Sequence, residues 1–551
     1  MTMRSTLRAW QPWTGVALLV AMFAWATFRF ASRHIEETTG NVKVVRIAHF
    51  NLEPGMRDAV DAVARLYESR RPGVRIEQMA VPERVYTQWV RVQLLGEQPP
   101  DLIALHGSIN SELLATHFSP LGAAMEAPNP WRKNEPAMEK VPWRSTFLDG
   151  VTSGPAFNAS LLEVYGVPSL QVTTRLYYNR NLWREIFGHE TPPASLEQFL
   201  DSCRVIQAYA GKGGHRYTPI AGSQANSNPL IDRYFAAQTQ RIGLALDSRR
   251  ALMTRGPDQA LGFLRGEWTY DDEPVRNGLT ILREVARMMT PGFTQLRRDD
   301  AVFYFVQERA AMIATGLWDA YGLRTQAAFP IGVFPVPYPE FNDARHAAGA
   351  LGPVTEAGTG LTFTLGLPNA AANPKEALDF LQFLTSAEGN RILGERSGWL
   401  PGVTGTPVDP ALRVFLPETD GFPRGLNYEW REVGADTRHI QGSRMHLLIN
   451  ETGSLESYAA ALTEALPKAA MSDLRRTVTN NRRNADSCDL PIGALLRRAT
   501  IPAGNTATDT LPRLAAITET QLLSLWEAAM IAGDVADLEA PSIPRPRNIS
   551  Q

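Results

Sequence analysis

Residues Val172–Phe199, VTTRLYYNRNLWREIFGHETPPASLEQF, change hydrophobic period twice in one short stretch. Val172, Thr174, Leu176 and Tyr178 alternate with Thr173, Arg175 and Tyr177, and β-branched and aromatic residues dominate, which predicts a strand. Asn179 breaks the run, and Leu182, Trp183 and Ile186 fall at helical spacing behind it. Pro192 and Pro193 stop that helix, and Ser195 with Gln198 has the spacing of a capping box that opens another. A chain that turns from strand to helix to capped helix this quickly belongs in an α/β sheet. Tyr178 stands where the strand ends, and ligands of open α/β sheets sit at strand ends. It is therefore a candidate ligand contact.

The chain before it repeats the pattern. Val42–Phe50 reads as a strand leading to His49, Phe50 and Asn51; Met56, Val60, Val63, Ala64 and Tyr67 then follow at helical spacing. Val74–Val81 is a second strand, Tyr86, Trp89, Val90 and Leu94 mark a second helix, and Leu102–Leu105 is a third strand ending at His106, Gly107 and Ser108. Such an order implies a parallel, right-handed unit. Its strand ends bring Phe50, Asn51, His106 and Ser108 toward one edge. Further on, Ala311–Thr315 is a buried strand with Trp318 just beyond it, and Ile331–Val336 is another. Trp268 and Tyr270 lie in a loop between predicted helices Pro229–Gln240 and Pro274–Met289. Leu361–Leu367 alternates as a strand, and Asn373 caps a helix whose buried face is Ala377, Phe380, Leu381 and Leu384. Near the C-terminus, Leu455–Leu466 and Glu519–Ala532 read as helices, the latter opened by Thr518 and stopped by Gly533.

At 551 residues the chain exceeds one core, so two or three globular units are expected. A net charge of −2 without any Lys/Arg block argues against a nucleic-acid partner. Cys203 and Cys488 allow either one disulfide or two free thiols. Arg4 and Arg8 precede the uncharged run Ala9–Phe28, and Arg29 and Arg33 follow. That run reads as an uncleaved membrane anchor or as a signal peptide cut after Ala24-Trp25-Ala26, and either exports the rest of the chain. No HExxH, CxxC, GxSxG, Walker A or helix-opening GxGxxG is present, so no enzyme, cofactor or metal site is expected. Asp271-Asp272 and Asp299-Asp300 read as turn residues. Tyr177 and Tyr178 suggest iron only until alternation is considered, since adjacent strand residues face opposite ways.

Several of these segments carry a resemblance. Tyr178-Asn179 with Leu182-Trp183-Arg184-Glu185 and Pro192–Phe199, then Pro100-Asp101-Leu102-Ile103, Phe305–Met312 running into Gly316-Leu317-Trp318, and Asn373–Ala377 with Phe383–Gly389 are similar to the extracellular solute-binding proteins of ABC importers, in the sugar-binding, maltose-binding-protein-like branch. The similarity spans Val44–Pro401 and fades over the last quarter. It implies an α/β, two-lobed periplasmic-binding-protein fold with an interlobe ligand cleft, preceded by the transmembrane or signal segment. The implied organisation is 1–40 as signal or anchor, 41–168 and 341–402 as lobe one, 169–340 as lobe two, 403–540 as helices closing lobe two plus an extension, and 541–551 as a tail. Crossings are expected near Gly166–Val172 and Val336–Gly352. The resemblance puts Trp318 in the cleft.

The expected function is capture of a sugar or oligosaccharide outside the cytoplasmic membrane and delivery to ABC permease subunits. The alternative is a membrane-tethered ligand-sensing subunit for a receptor kinase. A sugar site needs flat aromatic rings plus hydrogen-bonding groups, which makes Trp318, Tyr178, Phe50, Asn51, His106, Ser108, Trp268 and Tyr270 the candidate ligand contacts. The N-terminal reading has a direct check: mass spectrometry of the membrane-fraction protein is expected to find residues 1–26 retained, and a mature start at Thr27 would refute the uncleaved anchor.

Overall fold

The computed structural model describes residues 42–500 and 510–540, apart from 107–108, 153, 159–160, 214–216, 251, 253, 341, 344 and 431. The run Ala9–Phe28, Ser108 and the tail 541–551 lie outside the described residues. Among those described, no helix is long and apolar enough to cross a membrane.

The first sheet grows from the predicted alternation. Strand β1 (Lys43–His49) leads into helix α1 (Pro54–Arg70), then β2 (Val74–Ala80), α2 (Glu83–Leu95) and β3 (Leu102–Ala104). β1 lies between β2 and β3, parallel to both. The dipeptide strands Leu365–Gly366 and Gly166–Val167 complete the sheet, Leu365–Gly366 running antiparallel to β3 and to Gly166–Val167. Asp101 explains why the Pro-Asp pair precedes β3. Buried, its carboxylate accepts from the Arg46 N–H at 2.8 Å and the Asn373 N–H at 2.7 Å, joining β1 to the helix Pro374–Leu384.

The second sheet has the order β7-β4-β6-β5, where β4 is Thr174–Asn179, β5 Thr218–Ala221, β6 Ala310–Gly316 and β7 Ile331–Phe334. β4 is antiparallel to both neighbours, whereas β6 and β5 are parallel. Between β5 and β6 comes helix α3 (Arg298–Val306). A third small sheet of Leu361–Thr362, Leu170–Gln171 and Leu400–Pro401 lies where the chain passes between the lobes. One core surrounds the first sheet and reaches the near face of the second through Tyr177, Ile313 and Leu317. The other fills the far face of the second sheet and is closed by helices α4 (Leu455–Ser487) and α5 (Thr510–Glu539).

Five local expectations need correction. Leu361–Leu367 is not one strand: Phe363 adopts φ 49°, and the chain leaves the small sheet there to join the first one. Asn373 precedes its helix but makes no cap; its side-chain amide donates to the Val44 carbonyl at 2.8 Å. The helix from Leu455 runs through Pro467 to Ser487, because packing against α5 outweighs the lost N–H. Thr518 does not open a helix; it lies inside α5 and its hydroxyl donates to the Leu514 carbonyl at 2.8 Å. Ser195 does cap the next helix, its hydroxyl accepting from the Gln198 N–H at 3.4 Å, but the box is not reciprocal, because the Gln198 side chain accepts from the Ala194 N–H at 3.0 Å. Cys203 and Cys488 are separate buried thiols, and burial pushes the Cys203 thiol up.

Three passing segments meet at Arg175 on β4. Its guanidinium donates twice to Glu356 at 3.0 Å, and to the carbonyls of Val414 at 2.7 Å and Leu416 at 2.6 Å. Arg233 approaches the same carboxylate at 2.6 Å, and the Glu418 N–H donates to it at 2.9 Å. Burial alone would raise the Glu356 carboxyl, but Arg175 and Arg233 outweigh it and hold it below the usual range. A carboxylate with a lowered pKa contributes stability above its unfolded value and loses it as pH falls through the lowered one. Glu356→Gln strands a buried guanidinium and is expected to cost about 3–5 kcal/mol at neutral pH. The difference from wild type should shrink in acid, as urea unfolding at pH 7 and pH 4 will test.

Candidate ligand site between the lobes

The site is assembled where β1 and β6 end. After His49, the chain passes Phe50 and Asn51 and starts α1 with Glu53 at its N-cap, whose side chain makes no capping bond. From the other lobe, β6 ends at Gly316 and turns through Leu317–Asp319. Asp319 accepts from the Thr315 hydroxyl at 2.5 Å. Arg298, at the start of α3, stands between the two carboxylates, 3.4 Å from Asp319 and 3.8 Å from Glu53. Carboxylates from opposite lobes thus share one guanidinium. Burial raises both acids above the ordinary carboxylate range, and Arg298 offsets part of that shift.

Trp318 is half-buried in the same turn. Its ring folds back over Gly316, where a Cβ would stand 2.3 Å from the six-membered ring. Glycine is needed there for room, since its φ of −80° suits any residue. The indole N–H favours ionised Asp319 by proximity but is in hydrogen-bonding geometry with no acceptor. One oxygen of Glu53 and Nδ1 of His49 are likewise buried without partners, although His49 Nε2 lies 3.0 Å from Gln78. Burial lowers the His49 pKa, so the ring is held neutral. Among the described residues, the Trp318 indole N–H and one Glu53 oxygen are thus buried polar atoms without partners at the interlobe junction, and a bound solute could satisfy them.

The lobes touch beside them. A Cβ on Gly55 at the start of α1 would lie 3.0 Å from the Tyr321 ring of the other lobe. Phe50 packs edge-on against Tyr86 and His106, each centroid 5.2 Å away, and His106 lies 3.6 Å from Glu83.

A model of the bacterial extracellular solute-binding proteins matches residues 51–391. The chain belongs to that family. An uncharacterized ABC transporter extracellular-binding protein, PH1214 of Pyrococcus horikoshii, is 22% identical over 392 residues, covering 69% of this chain and 77% of the relative. Among solved structures, the GacH receptor of Streptomyces glaucescens superposes with a TM-score of 0.53 at 16% identity, over 78% of this chain and 98% of that one. A protein of Caldanaerobius polysaccharolyticus, solved in work on xylan utilization, gives 0.52 at 16% identity over 76% and 99%. At such identities these structures show the two-lobed fold. The protein is an extracellular solute-binding protein of the ABC-transporter type, and its place is extracytoplasmic.

Within this solute-binding protein the eight candidates separate. Trp318, Asn51 and Phe50 gather near the junction of the lobes, and His106 joins them through Phe50. Ser108 lies outside the described residues. Tyr178 is a core residue instead: it is 5% exposed, its hydroxyl donates to the Glu190 carbonyl at 2.7 Å, and its ring sits on Gly332 and Trp183. Its neighbour Tyr177 faces the lobe-one side and donates to the Gly316 carbonyl at 3.3 Å, as alternation requires. Trp268 and Tyr270 are also core. Trp268 donates to the Gln259 carbonyl at 2.9 Å, and Tyr270 accepts from Trp430 at 3.0 Å. Residues of the C-terminal quarter, Trp430 and Tyr458, close over them.

Glu53 and Arg298 were not singled out by the sequence. Glu53 had a signal, an acid between a strand end and a helix-opening Pro54; Arg298 had none beyond its charge. Asp272 and Asp300 accept from the Thr269 and Arg297 N–H groups at 2.9 Å and are structural. Gly316→Ala should displace the Trp318 ring while leaving the backbone unstrained. Titration calorimetry is expected to show at least tenfold weaker binding for it. Tyr178→Phe should leave affinity unchanged and cost about 1 kcal/mol of stability.

Proposed function

We propose that the interlobe site takes a neutral sugar or oligosaccharide and that closure of the lobes on it prepares delivery to an ABC permease. The carrying observation is an aromatic ring, Trp318, beside opposed carboxylates from the two lobes. A ring offers a face to sugar C–H groups, while Glu53 and Asp319 accept from hydroxyls, and charge-assisted bonds of this kind are the stronger ones. Two acids and one arginine leave a surplus negative charge, which disfavours anionic solutes. GacH in complex with acarbose and RafE in complex with raffinose lend support, the latter with a TM-score of 0.50 at 16% identity, over 78% of this chain and 99% of that one. A ligand held by both lobes favours the closed state through contacts the open state lacks. The protein works outside the cytoplasmic membrane, held there by Ala9–Phe28, and turns over none of its ligand. A second reading, a tethered sensing subunit for a receptor kinase, draws on the long helices that follow residue 391, where the family match ends.

A thermal-shift screen of neutral oligosaccharides tests this directly. A cognate ligand at about 100-fold over its dissociation constant is expected to add about 2.7 kcal/mol. Trp318→Ala should then cost about 2 kcal/mol of binding, roughly thirtyfold in dissociation constant. Because burial raises the Glu53 and Asp319 pKa values, they protonate at a higher pH than ordinary carboxylates, and affinity should fall on acidification before an ordinary carboxylate would titrate. A response confined to anionic solutes, or affinity indifferent to Trp318, would overturn the proposal.

A further inference from the structure

Beside the cleft the two lobes meet at a glycine. Gly55 lies in the first turn of α1, where helix propensity favours alanine, and its backbone is not in the left-handed region that calls for glycine. Room is the reason instead. A Cβ there would stand 3.0 Å from Cγ and 3.2 Å from Cδ2 of Tyr321 in lobe two, and 3.1 Å from the Ser397 carbonyl oxygen of lobe one. Carbon atoms pack best at about 3.5–4.0 Å, so a methyl group needs about half an ångström that the notch does not have. Cγ lies on the axis about which the ring turns, so rotating the ring gives no relief.

Both walls of the notch are braced. Tyr321 stands on the helix Ala320–Gln326, whose Ala320 and Leu323 are buried. The turn before it is held by the Leu317 N–H on the Thr173 carbonyl at 3.0 Å and by Thr315 on Asp319 at 2.5 Å. On the lobe-one side, the buried Ser397 hydroxyl accepts from the Trp399 N–H at 3.1 Å, and Gly398 ends the helix Ala387–Ser397 in the left-handed region at φ 72°. Among the described residues the Tyr321 hydroxyl has no protein partner, so the ring acts by its bulk.

We propose that this contact is the closing stop of the cleft: the Tyr321 ring, seated on Gly55 and Ser397, fixes how near Trp318 and Asp319 come to Glu53, and so the size of sugar that both lobes can hold. The size of the ligand rests on the sugar site proposed above; the stop itself does not. Each lever arm is short. Glu53 and Gly55 share one helix start, and Trp318 and Asp319 lead directly into the helix that carries Tyr321, so the spacing of the ligand-facing groups follows that of the stop. Arg298 sets no such limit, because a partly exposed guanidinium on a flexible stem, 3.4 and 3.8 Å from its carboxylates, follows the lobes rather than halting them.

Spin labels on Leu95→Cys of lobe one and Asp271→Cys of lobe two, both exposed, report lobe separation in the full-length chain by double electron–electron resonance, with the buried Cys203 and Cys488 as background. Gly55→Ala is expected to lengthen that distance without any ligand, and Tyr321→Ala to shorten it. With Tyr321 already replaced by alanine, Gly55→Ala should add nothing, whereas Tyr321→Phe, which keeps the ring, should return the wild-type distance. Sucrose, raffinose and stachyose, which grow by one hexose at a time, are the probes for size. Gly55→Ala should weaken the sugar that the wild type binds best about tenfold, the scale of one overpacked methyl group, and move the preference toward a longer one. Tyr321→Ala should move it toward a shorter one. A wild-type distance in Gly55→Ala, or a lowered melting temperature with distance and sugar preference both unchanged, would make the contact ordinary packing and overturn the proposal. So would equal effects of Tyr321→Phe and Tyr321→Ala. Binding of none of these sugars by any variant would sink the sugar reading, while the distances would still decide the stop.

Discussion

The buried pairing of Arg175 with Glu356 governs the geometry of everything between the lobes. Arg175 is almost fully buried, and a lone guanidinium there would be prohibitive. Its partners come from two other passes of the chain, so the pair can form only when β4, the segment carrying Glu356 and the segment Val414–Leu416 are all in place. The effect is carried straight into the site. Thr315 faces Arg175 across the strand pair, the Leu317 N–H donates to the Thr173 carbonyl at 3.0 Å, and Thr315 holds Asp319. The turn that presents Trp318 is therefore fixed by its neighbour β4 and, through β4, by the pivot.

Much of this was readable beforehand where the signal is local. Alternation located β1, β2 and β4 to within a residue or two, and a short apolar run located β6, which is buried along its whole length. The same rule separated Tyr177 from Tyr178. What it could not supply was which face would be solvated, since that depends on elements far away in sequence. Tyr178 looked like a strand-end ligand group, yet Arg180–Phe187 folds back over it. Trp268 and Tyr270 looked like loop aromatics until the C-terminal quarter covered them. Gly316 shows the reverse case: nothing local in the sequence marks the space it leaves for an indole ring.

The charges of the site follow the same division. Trp318 was legible through its position after a buried strand and through the family resemblance. Arg298 was not, because nothing local distinguishes one arginine in Arg297-Arg298-Asp299-Asp300 from the next. Only the approach of two lobes gives it carboxylates on both sides. Sites built at the meeting of separately folded units are hidden from periodicity for this reason.

Helix α5 has one more property that follows from its reach. Its later turns are bound to lobe two, where Glu527 meets Arg249 and Arg255 at 2.8 Å and Asp534 pairs with Arg265. Its first turn belongs to the other side: Arg513 contacts Glu163 of lobe one at 2.8 Å. The helix is thus a stay that runs from one moving body to the other. When the lobes rotate apart, the span of a single arginine side chain sets how far they can go before this tie is shed. Opening the lobes must break this one ion pair, and the last helix thereby adds a modest bias toward the arrangement in which both lobes hold it.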